Sequence, residues 1–274
     1  MNANSGSLSV FLIFLVLMIT ISNLLTLGKT DLRLSETRAM VSEIQSILRN
    51  KPPSESALKN QKILLEASKT MDNKDFYSKV KDEAFCVNKV RIGESGDGGK
   101  YVCNPKKVNK DDCTILSLGL NNQIGFDEHI FNETEGHCTL LGADLNEQNQ
   151  PTKDKYTKMN GQLFAGRIPD QLPISEMMRK SGKKSVELMK IDIEGGEFTG
   201  LEPFIEEYPV CQIFIEIHGN PAKHLQMLQT IAKYKFRIFN VDVNPLCPLC
   251  CEYSLINEKC MEQFGVTPLD VMIP

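Results

Sequence analysis

At 274 residues the chain exceeds the usual single-domain size, and with 41% hydrophobic residues and no tryptophan it carries the apolar content for one sizeable core plus appendages. A formal net charge of -4, with no long basic run, gives no electrostatic case for nucleic acid or for an anionic membrane surface. Neither internal repeats nor low-complexity segments are present.

Leu8 to Leu27 is apolar and uncharged, interrupted only by Ser9, Thr20, Ser22, Asn23 and Thr26. A stretch of about 20 residues just spans a bilayer as a helix. Residues 1–28 are therefore predicted to be a transmembrane signal anchor, with a cleaved signal peptide as the rival. The absence of Lys or Arg before the segment, and of a clean A-x-A site before Lys29, favours the anchor. Either reading delivers the rest of the chain to the secretory pathway, as a single-pass membrane protein of the endoplasmic reticulum or Golgi or as a secreted one. Lys29 and Arg33 are balanced by Asp31 and Glu36, so the flanks do not set an orientation.

Residues 29–80 read as a helical stem. Leu34, Val41, Ile44 and Leu48 fall at helical spacing within 31–50, and Leu58, Leu65 and Ala67 do so within 55–69, with Pro52 and Pro53 between the two helices. The stripes serve either self-association into a homo-oligomer or packing against the following domain.

Residues 81–274 form the main domain. Apolar runs near 114–118, 139–143, 161–165, 186–192 and 211–217 are bounded by turn residues and alternate with helix-length segments. Alternation of that kind predicts an α/β fold, a mainly parallel sheet with helices on both faces. Asn220 and Pro221 are placed to cap and open a helix carrying Ala222, Leu225, Leu228 and Ala232 on one side. FRIFNVDV at 236–243 and EYSLIN at 252–257 follow without a helix between them, a closing pair that brings the sheet to seven strands.

The ends of these strands are chemically unlike their middles. TILSLGLNN at 114–122 runs into Gly119, with Asn121 and Asn122 beyond it, and LLGADLN at 140–146 closes on Asp144. VELMKIDIEGGEF emerges at Asp192 and Glu194 and turns on Gly195 and Gly196, while CQIFIEIHG finishes in Glu216 and His218. In an open α/β sheet, ligands bind outside the carboxyl ends of the strands. A glycine turn with an acid roughly one βα unit later also follows the logic of nucleotide-binding units.

Taken together, KIDIEGGE at 190–197 and the Gly-rich RIGESGDGGKYVC at 91–103 resemble the FkbM-type family of S-adenosylmethionine-dependent methyltransferases, and more closely the methyltransferase-like proteins of animal secretory pathways. The resemblance runs over about residues 84–270. It implies a Rossmann-like class I methyltransferase fold, with Gly119 and Asn121 at the methionine end of S-adenosyl-L-methionine, Asp144 on the ribose and Asp192 beside the transferable methyl. Ser117 stands where the family pattern commonly has an acid, and Asn121 where it has a glycine.

The expected chemistry is an in-line methyl transfer to oxygen or nitrogen, in which positioning carries much of the rate and a base removes the acceptor proton. His218 is the expected base, oriented by Glu216, with Glu194 beside it. Glu216, Asp192 and Glu194 also present oxygen ligands to a divalent cation. Carboxylates in such a cleft serve cofactor hydroxyls or sulfonium charge equally well, and no metal is assigned. The acceptor inferred from location and family chemistry is a glycan or another secreted hydroxyl compound. A catalytically inactive, membrane-tethered binding module of the same fold is the alternative. His129, His137 and His224 have no partner legible in the sequence.

Nine cysteines suit an oxidising compartment, so disulfides are the default for most, and the odd total leaves at least one thiol free or paired between chains. Cys247, Cys250, Cys251 and Cys260 have partly zinc-like spacing, and Cys211 lies in an apolar strand as a candidate core residue. Asn132-Glu133-Thr134 is the single glycosylation sequon.

Overall fold

A computed structural model describes residues 53–95 and 98–274. The predicted anchor at 8–27 and the first stem helix at 31–50 lie outside the described residues. Among those described, no helix is long and apolar enough to cross a membrane.

Helix α1 (Glu55–Thr70) and the short α2 (Asn73–Tyr77) each start on a side-chain cap, Ser54 accepting from the Ala57 N–H and Asp72 from the Asp75 N–H. Of the two readings of this stretch, α1 follows the second and packs on the domain. Ala57, Leu64 and Ala67 are buried, whereas Leu58 and Leu65 of the predicted stripe are 47% and 39% exposed. The C-terminal tail fixes that rotation: Ser54 Oγ donates to Asp270 Oδ2 at 2.5 Å and Gln61 Nε2 to the Val271 carbonyl at 3.1 Å.

Strand β1 (Ala84–Cys86) pairs antiparallel with the last strand of the chain. β2 (Lys89–Ile92) and β3 (Lys100–Cys103) then form a hairpin around the Gly-rich segment. The main sheet follows as β4 (Cys113–Leu118), β5 (Cys138–Asp144), β6 (Gln162–Ala165), β7 (Val186–Ile191), β8 (Val210–His218), β9 (Phe236–Val243) and β10 (Cys250–Asn257). Between them lie α3 (Gly125–Glu133), α4 (Gln150–Lys158), α5 (Ile174–Ser181), α6 (Glu197–Glu207) and α7 (Pro221–Lys233), and α8 (Met261–Phe264) and β11 (Val266–Pro268) close the chain. The strand order is β6-β5-β4-β7-β8-β10-β9, with β4 to β8 and β6 parallel and β10 antiparallel between β8 and β9.

Both faces of the sheet are covered, as near-continuous apolar strands require. Consecutive residues of β4 show it: Leu116 belongs to the core on one side, with Met189 and Leu201, and Ile115 to the core on the other, with Phe214 and Phe126. Asn220 caps α7 through the Lys223 N–H, and Pro221 opens it, as expected from sequence.

His224, on α7, is fully buried between Tyr77 and Tyr253. Nε2 lies 3.1 Å from both the Tyr77 hydroxyl and the Leu249 carbonyl, and Nδ1 lies 3.2 Å from the Tyr253 hydroxyl. Desolvation pushes its pKa down to about 4. Because the unfolded imidazole titrates higher, the unfolded chain binds the extra proton first, and stability is lost as pH falls through that window. The loss between about pH 6.5 and pH 4 is expected to be on the order of 2–3 kcal/mol. Urea unfolding of His224→Gln against the parent checks this: the acid slope contributed by this site should disappear.

Four disulfides join Cys86–Cys103, Cys113–Cys138, Cys211–Cys260 and Cys247–Cys250, leaving Cys251 as a free, buried thiol. The zinc-like grouping thus divides between two separate bridges and one buried core position. The first bridge ties β1 to β3, which belong to different two-stranded sheets, and the second ties the paired strands β4 and β5. The sequon lies at the end of α3, with the Thr134 hydroxyl buried and donating to the Ile130 carbonyl at 2.8 Å.

Candidate functional site

The chain winds outward from β4 through β5 to β6, returns across to β7 and continues to β8. A crevice must therefore open outside the carboxyl ends of β4 and β7, where the strand order reverses. A cleft of about 1070 Å³ occupies that position and is lined by Gly119, Asn121, Asp144, Lys190 and Asp192, among others.

Gly119 sits at the closest approach of the two strands. Its φ is +85°, and a Cβ built there would lie 1.6 Å from the Asp192 carbonyl oxygen. Its N–H donates to the Ala143 carbonyl at 2.9 Å, and the Asp192 N–H donates to the Leu118 carbonyl at 3.0 Å, so one turn is stitched to both neighbouring strands. Asn121 and Asn122 follow with φ of +46° and +59°. Asparagine tolerates this left-handed region, so the chain makes the turn with no glycine at 121 or 122.

Asp144 closes the floor. Its Oδ2 accepts the Asn121 N–H at 2.7 Å and its Oδ1 the Asn146 N–H at 3.3 Å. Gln148 Oε1 accepts the Asn122 N–H at 2.7 Å, and Asn122 Oδ1 accepts the Asn149 N–H at 2.7 Å, locking the two loops together. Leu145, beside Asp144, is 50% exposed in the cleft, an apolar face among polar groups.

The walls contain charges to which the sequence reading gave no role. Lys190 is buried, and its Nζ donates to the Gly119 carbonyl at 3.1 Å, with desolvation lowering its pKa. Below the turn, Asp127 is wholly buried and accepts the Tyr156 hydroxyl at 2.5 Å, and desolvation raises its carboxyl above the usual range. The signal for Lys190 was available: it is an ionisable residue inside an apolar strand run.

On the neighbouring strands, Glu216 faces Glu252 directly across the β8–β10 pairing, and Glu252 faces Asp242 across β10–β9. Like charges opposite one another destabilise a sheet. The β2–β3 hairpin supplies the counter-charges: Arg91 pairs with Asp242 at 2.5 Å, and the buried Lys100 bonds Glu252 and lies 3.9 Å from Glu216. Asn244 Nδ2 donates to Glu216 at 3.0 Å. Burial, then the nearby Asp192, raises the Glu216 carboxyl, and burial pushes Glu252 up to about 8.

His218 ends β8 half-buried. Its Nε2 lies 3.4 Å from Glu194 Oε2, and its Nδ1 lies 3.5 Å from Glu197 Oε1, ion-pair distances outside good hydrogen-bond geometry. Glu197, beyond the Gly195-Gly196 turn, is fully buried and accepts the Gly195 N–H at 2.8 Å. The Glu197 carboxylate first, and Glu194 and Glu216 after it, outweigh desolvation and raise the His218 pKa to about 9. Glu194 is exposed and holds φ +53°. Gly119, Asn121, Asp144, Asp192 and Glu194 thus share the main cleft, His218 lies with Glu194 in an adjoining hollow, and Glu216 lies beneath in the sheet.

Residues 70–238 match the family described as the methyltransferase FkbM domain. Among curated proteins, none matches the chain. Solved structures to which the chain is similar include a precorrin-6y C5,15-methyltransferase from Geobacter metallireducens, 10% identical, covering 57% of this chain and 86% of that one with a TM-score of 0.40. Fibrillarin from Aeropyrum pernix, in complex with natively bound S-adenosyl-L-methionine, is 12% identical over 62% of this chain and 83% of its own, with a TM-score of 0.42. An rRNA methylase from Streptococcus thermophilus is 13% identical, covering 56% and 91% respectively, with a TM-score of 0.39. At these scores the family match and the strand order define the fold, and the superpositions add nothing to it.

Proposed function

Since the chain belongs to the FkbM methyltransferase domain family, we propose that it uses S-adenosyl-L-methionine to methylate a hydroxyl oxygen of a glycan or other secretory-pathway compound. The observation that carries this reading is the convergence of Gly119, Asn121, Asp144 and Asp192 on one cleft at the switch point of the sheet.

The cofactor supplies an electrophilic methyl on a sulfonium. The cleft fits such a molecule. Gly119 lets the turn after β4 lie against the Asp192 backbone, which no residue with a Cβ could do, and Asp144 retains acceptor capacity for ribose hydroxyls beyond the two N–H groups it already holds. Leu145 offers an apolar surface to a base, and Asp192 a carboxylate to positive charge. Lys190 acts from behind, holding the Gly119 carbonyl and so the shape of the turn.

A second hollow of about 700 Å³ adjoins the first through Glu194 and Gly195 and includes Phe198, His218, Gln226 and Leu249 in its walls. It is the natural seat for the acceptor, with His218 in its wall; a pKa of about 9 keeps that imidazole protonated near neutrality, so it takes the acceptor proton only where that charge has been removed. The lumenal setting is supported by eight of nine cysteines lying in disulfides, which persist in oxidising compartments. The apolar Leu8–Leu27 segment is consistent with it.

Calorimetry with S-adenosyl-L-methionine and its demethylated product tests the reading. The parent should bind both, and Asp144→Asn, which keeps the shape but removes the charge, should weaken them by about 10- to 100-fold through loss of charge-assisted hydrogen bonds. Folded parent protein that binds neither would leave the inactive binding module as the function.

A further inference from the structure

Where the two cavities meet, negative charge is concentrated around one imidazole. Asp192, Glu194 and His218 each turn a ligating atom toward the others, all within 4.8 Å. We propose that these three side chains form a divalent-cation site, with Asp192, Glu194 and His218 Nε2 as ligands and the buried Glu197 orienting the imidazole from its Nδ1 side. The catalytic use of the site rests on the methyltransferase reading; its existence as a site does not.

Two observations together point to a cation. The first is the ligand set itself, drawn from the tip of β7 and the tip of β8 and facing solvent space on both sides. The second is Glu197, which is 0% exposed. One of its oxygens is committed to the Gly195 N–H, while Oε1 has no hydrogen-bond partner and is aimed at His218 Nδ1 from 3.5 Å. A carboxylate behind a histidine is the arrangement that fixes a metal-ligating imidazole and raises its basicity. It leaves Nε2 facing Glu194 Oε2 across 3.4 Å, close to the separation of neighbouring ligands around a first-row ion. A competing grouping of Glu216, His218 and Cys250 fails, because the Cys250 sulfur is bonded to Cys247.

Two hard carboxylate oxygens with one imidazole suit Mn²⁺ better than an all-oxygen ion such as Ca²⁺ or a thiolate-seeking one. Three protein ligands leave coordination positions for the oxygens of an acceptor in the second hollow. There the cation would lower the acceptor hydroxyl's pKa and hold it toward the methyl donor.

The experiment is titration of the full-length protein with MnCl₂, following the free-ion electron paramagnetic resonance signal, beside calorimetry with S-adenosyl-L-methionine. The site predicts about one Mn²⁺ bound per chain, at least tenfold weaker binding in Glu194→Gln and His218→Ala, and about 10- to 100-fold weaker binding in Glu197→Gln. Glu194 is exposed, so its variant remains folded and interpretable even where the buried one does not. No saturable Mn²⁺ binding, or binding unaffected by Glu194→Gln and His218→Ala, overturns the site. Metal failure with cofactor binding intact leaves the methyltransferase reading standing, and the converse result sinks that reading while keeping the cation site.

Discussion

Gly119→Ala is expected to be the most damaging single-methyl addition in the cleft. The new Cβ would meet the Asp192 carbonyl at 1.6 Å, and that oxygen is backbone, unable to swing aside as a side-chain tip can. β4 and β7 would have to part at the point where the cofactor cleft begins. Overpacking of this kind costs roughly 1–3 kcal/mol or more, and the left-handed φ of +85° adds about 1 kcal/mol for any residue with a Cβ. The expected outcome is a chain with a markedly lower unfolding midpoint and no measurable heat of S-adenosyl-L-methionine binding. Gly182→Ala is the control, since Gly182 has φ +71° but nothing within 4 Å of its built Cβ. It should lose only the conformational part and keep cofactor binding. Equal losses in the two variants would show that backbone conformation, not the strand contact, makes glycine necessary at 119.

Lys100→Met removes the buried counter-charge between Glu216 and Glu252. Truncating one partner of a buried ion pair leaves its acids uncompensated and costs about 3–5 kcal/mol. The direction with pH follows from protons. Burial already holds Glu252 up at about 8, so the folded protein keeps a proton that the unfolded chain gives up at lower pH, and stability from this group is lost as pH rises toward 8. Without the lysine both carboxyls must be protonated to avoid a buried charge, so the variant should be close to the parent at pH 5 and far below it at pH 8. Urea unfolding at the two values measures this. A deficit that does not change with pH would mean that Lys100 acts through packing alone.

The strands were legible because a strand buried on both faces is a nearly unbroken apolar run, and the runs near 114–118, 139–143 and 211–217 correspond to β4, β5 and β8 within a residue or two. Their polar tips were legible for the same reason: Asp144 and Asp192 interrupt a pattern that would otherwise continue. Asn220 announced α7 because its cap bond is local, reaching only to Lys223. The face of α1 was not legible, since Leu58 and Ala57 are neighbours in the sequence and only distant contacts to Asp270 and Val271 choose between them. Nor was the role of Glu197, which looks like an ordinary acidic first-turn residue until β8 brings His218 against it.

The amino-acid sequence by itself determined which segments are buried strands, where each ends in an ionisable or glycine residue, and hence the family and the cleft, because these depend on composition over a few consecutive positions. Tertiary structure alone decided the placement of β10 between β8 and β9, the pairing of eight cysteines, and the meeting of Lys100 with Glu216 and Glu252. Those partners are brought together by strand pairing and packing between segments far apart in the chain. A cation and two acids carry no local mark of whether folding will set them side by side.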